Sequence, residues 1–217
     1  MSKEKTYKML SDLGFTPKTI VDCGAAWGEW SGMIRGYFPE SFIIGVDANR
    51  WSEGKIINTN VTYFDALSDE DGKEMIFYKN KSSLDSNTFC TGDSLFRENT
   101  IHYNDSNIVK ELVKTKTLKS ILKEQNCEKV DLLKIDTQGS ELIIMKGLGD
   151  FIKDIEFIEL ECSIVEFNVG GPSFVEILNF LKEYFDIFEI PSTLRVNGFL
   201  YQMDVIFKNK NSKIKPI

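Results

Sequence analysis

Four aspartates carry the first chemical signal: Asp22, Asp47, Asp65 and Asp136 each close or nearly close an apolar run and are followed by small residues. The first sits in Thr19-Ile-Val-Asp-Cys-Gly-Ala-Ala-Trp-Gly-Glu-Trp-Ser-Gly32, which reads as a buried strand, a glycine-bearing turn and a helix start. Gly24 and Gly28 tolerate positive φ and let a backbone or ligand approach closely. Asp47 ends Ser41-Phe-Ile-Ile-Gly-Val-Asp47, about where an acid meets a ribose in wound α/β sheets. Its two carboxylate oxygens suit two vicinal hydroxyls. Asp65, in Tyr63-Phe-Asp-Ala-Leu-Ser68, falls at the same edge and suits an adenine amino group.

A nicotinamide or flavin dinucleotide is the first ligand to weigh against this pattern. Its fingerprint is G-x-G-x-x-G with a pyrophosphate over the helix start. Counted from Gly24, the second and third offsets are Ala26 and Glu29, and a glutamate there repels a pyrophosphate. An anionic rim instead suits a nucleoside that also carries a sulfonium and an ammonium, which is S-adenosylmethionine. The expected contact set is Asp22, Cys23, Gly24, Ala25, Gly28 and Trp30 from the first turn and helix. Asp47, Ala48 and Asn49 follow from the second strand, and Asp65, Ala66 and Leu67 from the third. Asp136 and Ser83 complete it, the serine reaching for the ligand carboxylate.

Methyl transfer from such a donor needs alignment of three atoms, and an acceptor that carries a proton needs a group to take it. Asp136, ending the fourth strand, is the first candidate. Glu161 could join it around a divalent cation such as magnesium. His102 is the one histidine, in Asn99-Thr-Ile-His-Tyr-Asn-Asp-Ser106, and is a further candidate base. Glu141, in the first turn of a helix, reads as structural. Glu159, two residues before Glu161, shares its face and needs a partner if buried.

The elements that position these groups alternate. Strands are expected at Thr19–Cys23, Ser41–Asp47, Val61–Ala66, Val130–Asp136 and Ile155–Cys162, with two more near 187–190 and 199–208. Helices are expected at about 3–14, 29–37, 52–58, 140–151 and 172–185. Runs such as Val130-Asp-Leu-Leu-Lys-Ile135 suit strands covered on both faces, so the fold class is α/β with a doubly wound, mostly parallel sheet. Residues 69–117 break the rhythm, with strand-like pieces at 74–78 and 111–117, and read as a ligand-side insertion within a single domain spanning 1–217.

At 217 residues the chain is long enough for one sizeable core, and its net charge of −7 leaves no phosphate-neutralising surplus for nucleic acid. Cys23, Cys90, Cys127 and Cys162 form no C-x-x-C pair, which fits a reducing, cytoplasmic setting. No apolar run has the length to cross a membrane.

Lys134-Ile-Asp-Thr-Gln-Gly-Ser-Glu141, running on to Met145-Lys-Gly147, closely resembles the central motif of the FkbM family of class I methyltransferases. Val21-Asp-Cys-Gly24, Ala66-Leu-Ser-Asp-Glu-Asp-Gly72, Ile158-Glu-Leu-Glu161, Gly171-Pro-Ser-Phe174 and Leu200-Tyr-Gln-Met-Asp-Val-Ile-Phe207 extend the similarity over roughly 18–208. Ala26-Trp27 and Asp47-Ala48 depart mildly from that family's habits. The resemblance implies a seven-stranded Rossmann-like sheet and transfer of a methyl group from S-adenosylmethionine to oxygen. The implied acceptor is a hydroxyl of a sugar, glycan or polyketide-type metabolite. A catalytically silent cofactor-binding protein and a methyltransferase acting on protein are the alternatives, and a homo-oligomer is left open.

Overall fold

The computed structural model describes residues 2–84, 92–100 and 103–214. Helix α1 (Lys3–Asp12) opens the chain, its N-terminus capped by the Ser2 hydroxyl, which accepts from Lys5 N. Strand β1 (Thr19–Cys23), α2 (Glu29–Tyr37), β2 (Phe42–Val46) and β3 (Val61–Tyr63) follow. After the insertion come α3 (Leu118–Glu124), β7 (Val130–Ile135), α4 (Glu141–Leu148), β8 (Ile155–Ser163), α5 (Phe174–Leu181), β9 (Phe185–Val196) and β10 (Phe199–Asn209).

The main sheet has seven strands in the order β3-β2-β1-β7-β8-β10-β9. All neighbours are parallel except β10, which runs antiparallel to both β8 and β9. Alternating side chains divide between the two faces. Ile20, Leu132 and Phe157 pack with Tyr7, Leu10, Trp30 and Ile34 of α1 and α2. Their neighbours Val21, Leu133 and Ile158 pack with Leu118, Ile121, Ile144, Leu148, Ile177 and Leu181 of α3, α4 and α5. Both faces are therefore dry, and strand order reverses between β1 and β7, where a wound sheet leaves a crevice at its carboxyl edge.

The insertion is a second, three-stranded sheet in the order β4-β6-β5, made of β4 (Ala66–Leu67), β5 (Glu74–Asn80) and β6 (Ile108–Lys116). The single strand expected over Val61–Ala66 is thus two. β3 stays in the main sheet, the chain bends at Phe64-Asp65, and β4 pairs with β6. The helix expected over 52–58 reduces to a 3-10 turn at Arg50–Ser52. Helix α3 was not anticipated. It starts at Thr117, whose hydroxyl accepts from Ser120 N at 3.1 Å and whose own N–H donates to Asp71 Oδ1 at 2.6 Å. No helix among the described residues is long and apolar enough to cross a membrane.

Candidate active site

A cleft of about 290 Å³ opens where the strand order reverses. Gly24, Ala25 and Ala26 of the β1–α2 turn, Glu29 and Trp30 of α2, and Asp47, Ala48 and Asn49 after β2 form one wall. Asp65, Ala66 and Leu67 line it beyond β3, and Lys134, Asp136, Thr137 and Gln138 line it beyond β7. Phe77 and Gly92–Leu95 of the insertion cover it.

The turn after β1 has no room for a side chain on its first glycine. Gly24 has φ +78°, and a Cβ there would lie 1.9 Å from the backbone oxygen of Asp136. The two strand ends are stitched at this point, Asp136 N donating to Cys23 O at 3.0 Å. Asp47 closes the same turn from the other side. Its carboxylate accepts from Ala26 N and from Asn49 N, both at 2.7 Å. Burial pushes its pKa up to about 6, partly opposed by those two N–H groups. Asn49 in turn accepts from Trp51 N at 3.1 Å and donates to Asp93 Oδ2 at 2.8 Å. Asp65 faces the cleft with Lys116 Nζ 3.6 Å away.

The loop after β7 is clamped from within. Glu141 is 3% exposed and accepts from Thr137 N and Gly139 N, each at 3.0 Å, and from Thr137 Oγ1 at 3.3 Å. Burial raises its pKa to about 7. The structural role expected of it is therefore specific: its carboxylate folds the Asp136–Gly139 loop. Gln138, in the left-handed region at φ +55°, donates through Nε2 to Asp136 Oδ1 at 3.3 Å and to Glu161 Oε2 at 2.6 Å. Gln202 Nε2 also donates to Glu161 Oε2 at 3.1 Å. Burial first, then the Asp136 charge, push the Glu161 pKa up to about 8.

Several expected contacts are placed elsewhere. Asp22 is fully buried and does not line the cleft. It accepts from Ser31 Oγ at 2.7 Å and pairs with Lys134 Nζ at 3.3 Å. The reason is position along the strand: Asp22 lies inside β1 between Gly45 and Lys134, whereas Asp47 and Asp136 stand one residue past their strand ends. Cys23 is buried in the core. Gly28, at φ +84°, makes room for a protein segment rather than opening onto the cleft, since a Cβ there would lie 2.2 Å from Ile57 O. Trp30 lines the cleft and also packs edge-on against Tyr7, its indole N–H donating to Glu159 Oε2 at 3.1 Å. Glu159 has the partner its burial requires in Lys3, 2.9 Å away. Ser83 falls in the 3-10 turn Lys81–Leu84, and His102 lies outside the described residues, as does Cys90.

The magnesium expectation meets a different arrangement. Between Asp136 and Glu161 stands the Gln138 amide, a donor to both carboxylates. Among the described residues no group of three or more His, Cys, Asp or Glu is placed to hold a metal ion. Lys134, Gln138, Asp93 and Ser94 are among the cleft residues that sequence reading missed. Lys134 carried a signal, a cation following two leucines inside a strand that is apolar but for Asp131. Asp93 and Ser94 carried none, since only the folding of the insertion brings them here.

A doubly wound α/β domain with an acid-lined cleft at its switch point is the architecture of class I methyltransferases. The chain belongs to the FkbM methyltransferase family: the Methyltransferase FkbM domain matches residues 22–188. A Methyltransferase FkbM structure from Methylobacillus flagellatus KT superposes with TM-score 0.53 at 14% identity, over 94% of this chain and 50% of that one. The present chain thus spans half the length of that relative. Streptococcus mutans SMU.1697c, solved in complex with S-adenosylhomocysteine, gives TM-score 0.51 at 10% identity, covering 96% and 98% of the two chains. The N-methyltransferase NodS from Bradyrhizobium japonicum WM9, also with S-adenosylhomocysteine, gives 0.50 at 8%, covering 96% and 86%. At these identities the likeness speaks to fold alone. No curated protein matches the sequence.

Proposed function

We propose that this chain is an S-adenosylmethionine-dependent O-methyltransferase acting on a hydroxyl of a sugar, glycan or polyketide-type metabolite. The observation that carries the reading is the gathering of Asp47, Asp65 and Asp136, from three different strand ends, onto one cleft. The donor set fits the group: carboxylates and an amide line the cleft, with Glu29 where a dinucleotide's pyrophosphate would need open N–H groups. When bound, S-adenosylmethionine supplies an electrophilic methyl group on a sulfonium.

Each residue has a distinct task in this reading. Asp47 keeps lone pairs on both oxygens after accepting from Ala26 and Asn49, enough for two vicinal hydroxyls. Asp65 accepts from the adenine amino group. Asp136, 31% exposed and 3.5 Å from Lys134 Nζ, is the carboxylate to hold the acceptor hydroxyl and take its proton. Glu161 stands behind it, outside the cleft lining, and is joined to it by the Gln138 amide, which donates to both carboxyl groups. Oxygen rather than nitrogen is favoured because Asp136-Thr-Gln-Gly139 stands after β7 in place of an Asn-Pro-Pro-Tyr-type amino-methylating motif.

The test is calorimetry with S-adenosylhomocysteine, paired with transfer of labelled methyl from S-adenosylmethionine to a panel of hydroxylated sugars, glycans and polyketide alcohols. The wild-type protein should bind and label at least one acceptor. Asp136→Asn should bind nearly as well and transfer nothing. Binding without transfer to any member of a broad panel would support a silent cofactor-binding protein instead.

A further inference from the structure

We propose that Asp93, carried by the insertion, is a positioning residue of the donor site. It fixes the Asn49 carboxamide so that Asp47 and Asn49 present a pre-set pair of groups to the donor ribose. The proposal rests on the donor reading above and adds to it a residue from a part of the chain remote in sequence.

Asp93 is held at both oxygens. Oδ1 accepts from Asn80 N at 2.8 Å, at the end of β5, and Oδ2 accepts from Asn49 Nδ2 at 2.8 Å. Asn49 is consequently defined at both ends of its amide, since its oxygen accepts from Trp51 N at 3.1 Å. The Asn49 backbone N–H donates to Asp47 Oδ1 at 2.7 Å. Asp47, Asn49 and Asp93 thus form one chain of hydrogen bonds, and all three line the cleft. Among the described residues the second amide hydrogen of Asn49 has no acceptor, which leaves it for a ligand oxygen.

The neighbouring residue makes the mooring rigid. Ser94 is 1% exposed and exchanges backbone hydrogen bonds with Tyr78 at 2.7 and 3.0 Å. Its single hydroxyl proton is shared between Gln138 O at 2.6 Å and Thr137 O at 3.1 Å. The Gly92–Leu95 run therefore bridges the loop after β2 to the loop after β7, across the cleft. Asp93 and Asp47 also repel each other, and the Asp93 charge is among the causes that raise the Asp47 pKa. Two carboxylates beside one cavity favour a ligand that brings hydrogen-bond donors, as a ribose diol does.

The experiment is a double-mutant cycle on Asp93→Ala and Asn49→Ala, read twice, by calorimetric affinity and by melting temperature. The probes are S-adenosylhomocysteine and adenosine, which share the ribose. Each single variant should weaken both probes by about tenfold, of the order expected for one lost hydrogen bond to a charged group. The double variant should be no weaker than the worse single, because the two act as a unit. Asp93→Asn, which keeps an acceptor oxygen, should recover part of the affinity and guards against a misfolded alanine variant. Wild-type affinity in folded Asp93→Ala, or coupling in melting temperature alone, would reduce the contact to a structural clasp and overturn the proposal. Losses that multiply would overturn it as well. Failure of the wild-type protein to bind either probe would overturn the donor reading and this inference together.

Discussion

Lys134 and Asp22 face each other across β7 and β1, Nζ to Oδ1 3.3 Å, with Asp22 fully buried and Lys134 5% exposed. Lys134 also lies 3.5 Å from Asp136 and its ammonium stands 5.7 Å from the Trp30 ring centroid. The carboxylate that faces the cleft is thereby tied to a buried one behind it, and one cation serves both.

Removing one member of that pair should be costly. Lys134→Met leaves Asp22 with no counter-ion in the interior, and about 3–5 kcal/mol of stability should be lost. Asp22→Asn combined with Lys134→Met should regain most of it, since neither charge is then buried. Urea denaturation measures all three variants. A Lys134→Met protein as stable as its parent would show that Asp22 finds another partner.

Stability should fall as pH rises from about 5 to 8. Burial is the first cause that raises Asp47 to about 6, Glu141 and Glu159 to about 7 and Glu161 to about 8. An acid raised in the folded state keeps its proton where the unfolded chain has released it. Folding therefore takes up protons in this window, and raising pH works against it. The urea midpoint should be higher at pH 6 than at pH 8, and the reverse order would contradict the burial of these groups.

Gly24→Ala should be far more damaging than Gly36→Ala. A Cβ at Gly24 meets the Asp136 carbonyl and φ is +78°, whereas at Gly36, inside α2, nothing lies within 4 Å. The first should lose several kcal/mol, as strain and overpacking combine. The second should be neutral or gain up to about 1 kcal/mol from helix propensity. Thermal melts of the two proteins make the comparison, and equal melting temperatures would refute it.

Glu141→Gln should loosen the loop after β7. One carboxylate oxygen becomes an amide nitrogen, and a donor then faces the Thr137 or Gly139 N–H groups that Glu141 now receives. A loss of about 1–3 kcal/mol is expected for the unsatisfied group. Hydrogen exchange at Thr137 and Gly139 should speed up well before global unfolding. Unchanged protection there would mean that the loop holds its shape without the clamp.

Much of this organisation could be read from the chain as text. Long apolar runs with β-branched residues marked β1, β2, β7 and β8, and an acid closing such a run marked Asp47 and Asp136, which stand one residue past β2 and β7. Helix α3 escaped because it is seven residues long and follows a strand without a break, β6 ending at Lys116 and Thr117 capping the helix. The split between β3 and β4 escaped because a bend at Phe64-Asp65 carries no glycine or proline to announce it. Asp22 was misplaced for a subtler reason. The strand has the bounds expected of it, Thr19–Cys23, but a residue one short of the strand end stays within the sheet, where Asp22 is buried against Lys134 instead of standing on the rim.

What the sequence determined by itself was the fold class, the order of the strands along the chain and the edge of the sheet where acids collect. These follow from periodicity and turn chemistry, which act between near neighbours. Only the tertiary structure decided which acids face the cleft, which cation partners them, and that Asp93 and Ser94 of the insertion reach the loops after β2 and β7. The physical reason is that burial and charge pairing are properties of residues far apart in the chain, such as Asp22 and Lys134, whose proximity exists only once the sheet has formed.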